Sequence, residues 1–179
     1  MHPALHFLRH LDPDPEATFN IETFTDLPKG AKKPEPDPLC RRYANLTLSG
    51  VDQITPLLDE LNAAGAAVYV MVNQCQGQRS KPNVSRIRGI HGDFDGVSEE
   101  LLATVRDRLP PSIEVQSSDP GNVHFYWLLS EGEELDTETA EAINRQIVEL
   151  GADKSAVDVS RLLRLPGFRH MKYRQGRPE

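Results

Sequence analysis

Two short runs constrain this chain most: AAVYVMVN (66–73) and VHFYWLL (123–129). Both are dense in β-branched and aromatic residues and far too short to span a membrane, so each reads as a buried strand. The second follows IEVQS (113–117) across the turn-rich SDPGN, which predicts an antiparallel pair. Upstream, NIETFT (20–25) suggests another strand, and LPKGAKKPEPDP (27–38) reads as a flexible, exposed loop. A further strand is expected through Ile87, Ile90 and Asp93, and a last one over 157–165 before Pro166-Gly167.

Helices alternate with these strands. Thr55 and Pro56 suit an N-cap and first position, with Leu57, Leu58 and Leu61 on one face and Gly65 as the stop. Ser98 opens a second helix carrying Leu101, Leu102, Val105 and Leu109, closed by Pro110 and Pro111. Asp136 opens a third with Ala140, Ile143 and Ile147 turned inward, ending at Gly151. Three helices on a mainly antiparallel sheet give an α/β (α+β) domain with one layer covered. At 179 residues the chain suffices for one such domain with its own core. It stops at RQGRPE after its most basic stretch with no closing element, so we expect a piece cut from a longer protein.

The opening MHPALHFLRHLDPDPE is broken by His, Arg, Asp and Pro, which argues against a secretory signal. Cys40 and Cys75 show no metal-like spacing, and a reduced, cytoplasmic protein is expected. A net charge of −7 would disfavour a nucleic-acid partner if charge were spread evenly. It is not. Residues 131–141 carry six acids and no base, whereas Arg161, Arg164, Arg169, Lys172, Arg174 and Arg177 lie in a stretch without an acid.

The densest chemical signal is HGDFDG (91–96). On a strand, Asp93 and Asp95 point to one face, roughly 7 Å apart at their α-carbons. Two carboxylates facing one way repel unless a cation lies between them, and hard oxygen ligands suit Mg²⁺ or Mn²⁺. A solvated strand end turning at Gly96 would also account for the pair. Asp158, in SAVDVSR, is expected on another strand, turned to the face opposite Val157 and Val159, and a third carboxylate brought beside the first two would complete a metal site.

His124 and Tyr126 share one face of VHFYWLL, opposite Val123, Phe125 and Trp127, and an imidazole there could donate to a phosphate oxygen. Ser117, Ser118 and Asn122 surround the preceding turn. Arg161, Arg164 and Lys172 flank the end of the strand expected to hold Asp158, where cations would neutralise a bound triphosphate. Arg79, Lys81, Arg86 and Arg88 form a second basic group that could follow a template backbone, or simply a solvated loop.

YVMVNQ with the R-x-x-x-N after it, DFDG, SSDPGNVHFYW and DKSAVDVSRLLRLPGFRHMK resemble, in that order, the archaeo-eukaryotic primase superfamily. The likeness is to its phage- and plasmid-encoded primase-polymerases with RepB-like primase domains, and it runs from about residue 19 to residue 173. It implies an RNA-recognition-like palm and template-directed joining of dNTPs and NTPs to a primer. Asp93 and Asp95 would match the first metal-binding motif and Asp158 the third acidic ligand. His124 would hold the nucleotide's phosphates, with Arg164, Lys172 and Arg161 beside it. The family often writes Ser-x-His where this chain has Asn122-Val123-His124, which bears on Asn122 and Ser118. Such domains usually start new strands only with a helical C-terminal or helicase region, so primer extension is the expected activity, in a bacterial or phage-infected cell. Two other readings compete. One is a non-catalytic module that binds single-stranded DNA at replication initiation. The other is a haloacid-dehalogenase-type phosphatase, for which DFDGV lies far from the N-terminus and follows a weakly apolar strand.

Overall fold

The computed structural model describes residues 1–28, 30–118 and 121–172. The chain opens with α1 (Pro3–Leu11), which the sequence reading missed. His6, Arg9 and His10 interrupt the apolar run, yet Ala4, Leu5, Phe7, Leu8 and Leu11 recur at helical spacing and are buried. Pro3 stands where a helix needs no amide donor, and His2 Nδ1 accepts from the Ala4 amide.

Strand β1 (Thr18–Thr25) pairs antiparallel with β2 (Arg41–Thr47) on one side and β3 (Ala66–Met71) on the other. β2 is a polar strand, RRYANLT, and owes its form to the ladder it completes rather than to its own pattern. Helix α2 spans Leu48–Ala63 and starts well before the expected site, capped by Thr47, whose hydroxyl accepts from the Gly50 amide. Pro56 therefore lies inside the helix and not at its first position. An interior proline costs about 3 kcal/mol, and buried Val51, Leu58 and Leu61 offset it. Thr55, expected as the cap, instead donates its hydroxyl to the Val51 carbonyl at 2.8 Å. Gly65, at φ 110°, follows the helix end as expected.

After β3 come the short strands β4 (Gln74–Cys75) and β5 (Val84–Arg86), paired with each other. A second sheet contains β6 (Gly89–Phe94), β7 (Ile113–Gln116) and β8 (Val123–Leu128), in the order β6-β8-β7 and antiparallel throughout. Ser98 and Asp136 cap α3 (Glu99–Arg108) and α4 (Thr137–Glu149) where the sequence placed them. The last described strand, β9 (Leu162–Arg164), adds to β3 and completes the order β2-β1-β3-β9.

In place of one expected sheet the described residues form two larger sheets, each with its own core, and the small β4–β5 pair. The first gathers α1 and α2 residues with Phe19, Ile21, Val68, Val70 and Tyr126. The second gathers Phe94, Leu102, Val105, Phe125, Ala140 and Ile147. β8 contributes to both, which accounts for the nearly unbroken apolar run VHFYWLL. Gly92 allows α4 to lie close on β6: a Cβ there would come 2.8 Å from Ile147 Cγ2 and 2.9 Å from Phe94 Cε2. Cys40 and Cys75 are free thiols. Among the described residues, no helix is long and apolar enough to cross a membrane.

Candidate active site

Where β6 ends and β8 begins, a crevice opens beside β3 and β9. It is lined by Tyr69, Asp93, Asp95, Ser117, Ser118, His124, Arg161, Arg164, His170 and Lys172, with the backbone neighbours Leu162 and Leu163. Asp93 is the fifth residue of β6 and Asp95 follows the strand end, so both expected carboxylates reach the same hollow. Burial, reinforced by the carboxylates of Asp153 and Asp95 against the cations of Arg161 and Lys172, pushes the Asp93 carboxyl up to about 6. Its cross-strand partner is His124, with Nε2 3.5 Å from Asp93 Oδ1. His124 is buried, not a surface group. That burial, with the cations of Arg164 and Arg161 nearby, pushes the imidazole down to about 3, so at neutral pH it is uncharged.

Asn122 staples two turns. Its Oδ1 accepts from the Gly96 amide at 2.6 Å and its Nδ2 donates to Ser118 Oγ at 2.7 Å. The Asn122 amide side chain is thus spent on holding the loop after Asp95 to the turn before His124, while Ser118 faces the crevice directly.

The strand expected over 157–165 forms only at its end. The carbonyls of Val157 and Val159 accept from the buried side-chain amides of Asn144 and Asn73, which diverts them from any ladder. Residues 154–156 make one tight turn capped by Asp153, and Asp158 sits in the next. Asp158 Oδ1 accepts from the Ser160 amide and hydroxyl at 3.0 and 2.6 Å, and its charge acts on buried His91. It is absent from the residues lining the crevice. Asp153, which the sequence reading did not single out and which is likewise absent from the lining, is bonded to β6 itself: its amide donates to the Asp93 carbonyl at 2.6 Å, its carboxylate accepts from the Ser155 amide at 2.7 Å, and its charge acts on Asp93. Among the described residues, no three His, Cys, Asp or Glu groups close on one point as a finished metal cage.

The opposite wall is cationic. Arg164 lies across from Tyr69 in the β3–β9 ladder, its guanidinium carbon 5.2 Å from the ring centroid, and Nη2 donates to Asp26 Oδ1 at 2.8 Å. Arg161 and Lys172 join it, as expected. Arg169 lies outside the crevice lining, and Arg174 and Arg177 fall outside the described residues.

The basic group expected to follow a template is largely engaged within the fold. Arg88 is buried: Nε donates to Asp12 Oδ2 at 2.5 Å, Nη2 to the Thr18 carbonyl at 2.6 Å, and the guanidinium lies over Phe19. An arginine so enclosed cannot meet a phosphate backbone, so its role is structural. Arg86 also donates to Asp12. Arg79 pairs with buried Glu22 at 2.8 Å, and Lys81 with Glu141 at 2.7 Å.

Tyr69, His170, Asp26 and Asp153 are the residues near the crevice that sequence reasoning passed over. Only Tyr69 left a trace, as the single polar-tipped ring in a strand otherwise apolar, and it is the one β3 residue not fully buried.

Comparison with known proteins gives the family and the fold. The family model of the RepB DNA-primase N-terminal domain matches residues 44–179. No curated protein sequence matches the chain. The crystal structure of primase RepB' aligns with a TM-score of 0.66 at 21% identity, over 94% of this chain and 51% of that one. The RepB' catalytic domain in complex with initiator DNA gives 0.67 at 20%, over 97% and 81%. The AEP domain of the cyanophage S-2L primase-polymerase gives 0.66 at 19%, over 94% and 83%. This chain thus spans about half the length of the RepB' primase. The fold is that of the archaeo-eukaryotic primase domains, and the chain belongs to the RepB DNA-primase N-terminal domain family.

Proposed function

We propose that this domain carries out template-directed nucleotidyl transfer, joining dNTPs or NTPs to the 3′ end of a primer on a DNA template. One observation carries the reading: Asp93 and Asp95 form one wall of a crevice whose other wall is Arg161, Arg164 and Lys172. Acids alone would repel a nucleotide triphosphate, and cations alone would need no acids.

A divalent ion fits the acidic wall. Asp93 is desolvated beside Asp95 and Asp153, an arrangement that favours protonation unless a cation occupies it. Asp93 and Asp95 would hold Mg²⁺ or Mn²⁺, and Asp153, rather than Asp158, is the third acid we assign to the site. When bound, such ions activate a primer hydroxyl and stabilise the leaving phosphate oxygen. Arg161, Arg164 and Lys172 neutralise and orient the triphosphate. Neutral His124 is a hydrogen-bonding group for a phosphate oxygen, positioned by its pairing with Asp93.

The antiparallel surroundings of the D-x-D segment and the family match leave the phosphatase reading without support. Strand initiation we assign to a C-terminal helical or helicase region beyond this chain, since RepB' is about twice as long. Primer extension on a DNA template with Mg²⁺ or Mn²⁺ is the test. Extension supports the reading; DNA binding without extension would leave a non-catalytic initiation module.

A further inference from the structure

We propose that Asp26 is a positioning residue that holds the cationic wall of the crevice in register for the triphosphate, a role resting on the nucleotidyl-transfer reading above. Asp26 follows β1 directly, and its side chain is 2% exposed. Both carboxylate oxygens are committed to the segment that builds the wall. Oδ1 accepts from Arg164 Nη2 at 2.8 Å, and Oδ2 accepts from the Met171 amide at 2.8 Å. His170 Nδ1 lies 3.9 Å from Oδ2. One buried acid thus contacts the arginine on β9 and the backbone between His170 and Lys172, all three of which face the crevice.

Asn62 holds the same segment at the Arg169 amide and carbonyl, and Leu165 and Phe168 pack into the first core, but Asp26 is the acid that reaches Arg164. β9 is three residues long, and residues 165–172 form no helix or strand. Arg164 is clamped on one side by Asp26 and on another by the Tyr69 ring, which leaves the guanidinium few orientations. Asp26 does not line the crevice; it lines the adjoining hollow with Thr25, Gly65, Met171 and Lys172, so it can act only through these neighbours. It also lies ahead of the residues that the family model matches.

The test uses Asp26→Asn, Asp26→Glu, Arg164→Gln and the Asp26→Asn/Arg164→Gln double variant in the full chain. Primer extension yields KM and kcat for the nucleotide, calorimetry follows binding of inorganic tripolyphosphate, and anisotropy follows primer-template binding. Asp26→Asn should raise nucleotide KM about tenfold and weaken tripolyphosphate comparably, with kcat and template affinity changed by less than about threefold. Asp26→Glu should recover part of the loss, and the double variant should bind tripolyphosphate no more weakly than Arg164→Gln alone. An unchanged KM, fully additive losses in the double variant, or a parallel fall in kcat and template affinity overturns the proposal. So does the failure of both Asp26 variants to fold, which would make Asp26 a residue of the fold alone. A wild-type chain that neither extends primers nor binds tripolyphosphate would remove the underlying reading instead.

Discussion

His124 Nε2 lies 3.5 Å from Asp93 Oδ1, and the two residues face each other across the β6–β8 ladder. The contact joins an uncharged imidazole to a carboxyl whose burial favours its proton, so the acid we propose for the metal and the group we propose for a phosphate oxygen share one sheet. Rigidity is supplied from both directions, because β8 is packed into two cores.

The acids come first among the consequences. Asp93→Ala, Asp95→Ala and Asp153→Asn should each abolish metal-dependent primer extension, whereas Asp158→Asn should retain a substantial fraction. Without divalent metal, Asp93→Asn should leave the melting temperature unchanged or raised, since it removes a desolvated charge beside Asp95 and Asp153. Extension assays with parallel melts decide; full activity in Asp153→Asn together with loss in Asp158→Asn would reverse the assignment.

On the nucleotide side, Lys172→Ala and His124→Asn should raise the KM for the incoming nucleotide about tenfold or more while primer-template affinity holds. Equal losses in nucleotide and template titrations would contradict their placement against the triphosphate.

The Asp12 carboxylate joins α1 to the strands ahead of the catalytic segment through Arg86 and Arg88. Removing it strands the Arg88 guanidinium, 1% exposed, without its counter-charge. Asp12→Ala should therefore destabilise the fold by about 3–5 kcal/mol. Arg88→Met should be milder, because it removes the buried charge together with its need for a partner. Chemical denaturation measures both, and equal stability of Asp12→Ala and wild type would refute the latch.

Gly92→Ala should cost roughly 1–3 kcal/mol through overpacking, since its new methyl meets Ile147 and Phe94 inside normal contact distance. Ile147→Val in the same chain should restore part of the loss. A neutral Gly92→Ala would show that α4 can retreat freely from the strand carrying Asp93.

pH offers a separate handle on Asp26. Burial would raise its carboxyl, but the hydrogen bond and charge of Arg164, with the Met171 amide and His170, hold it below 3.8. A depressed folded-state value stabilises the protein above the unfolded value and ceases to do so as pH falls through the folded one. The stability gap between wild type and Asp26→Asn should thus be full above about pH 4 and shrink in stronger acid. A gap independent of pH would mean the charge contributes nothing.

Much of this molecule is written locally. Val and aromatic residues at close spacing mark β3 and β8 as strands, and Ser98 and Asp136 carry their own capping chemistry, so α3 and α4 begin where those side chains are. The HGDFDG segment keeps its two acids two residues apart at the end of β6, and Arg161 and Arg164 were visible beside a predicted strand end. Each of these rests on interactions a few residues long.

What failed was decided at long range. β2 is a strand because β1 offers it a ladder, and α2 continues through Pro56 because its buried face outweighs a local preference. Asp158 was assigned to a strand by alternation, but Asn73 and Asn144, distant in sequence, claim the carbonyls on either side of it. The sequence by itself determined β3, β8, α3 and α4 and where the acids and the cations lie along the chain. Only the tertiary structure decided that His124 and Arg88 are buried, that the Asp153 amide bonds the Asp93 carbonyl, and that Asp26 anchors Arg164. The physical reason is the same each time: burial and hydrogen-bond partners depend on which surfaces meet, and alternation along one strand cannot say what lies across from it.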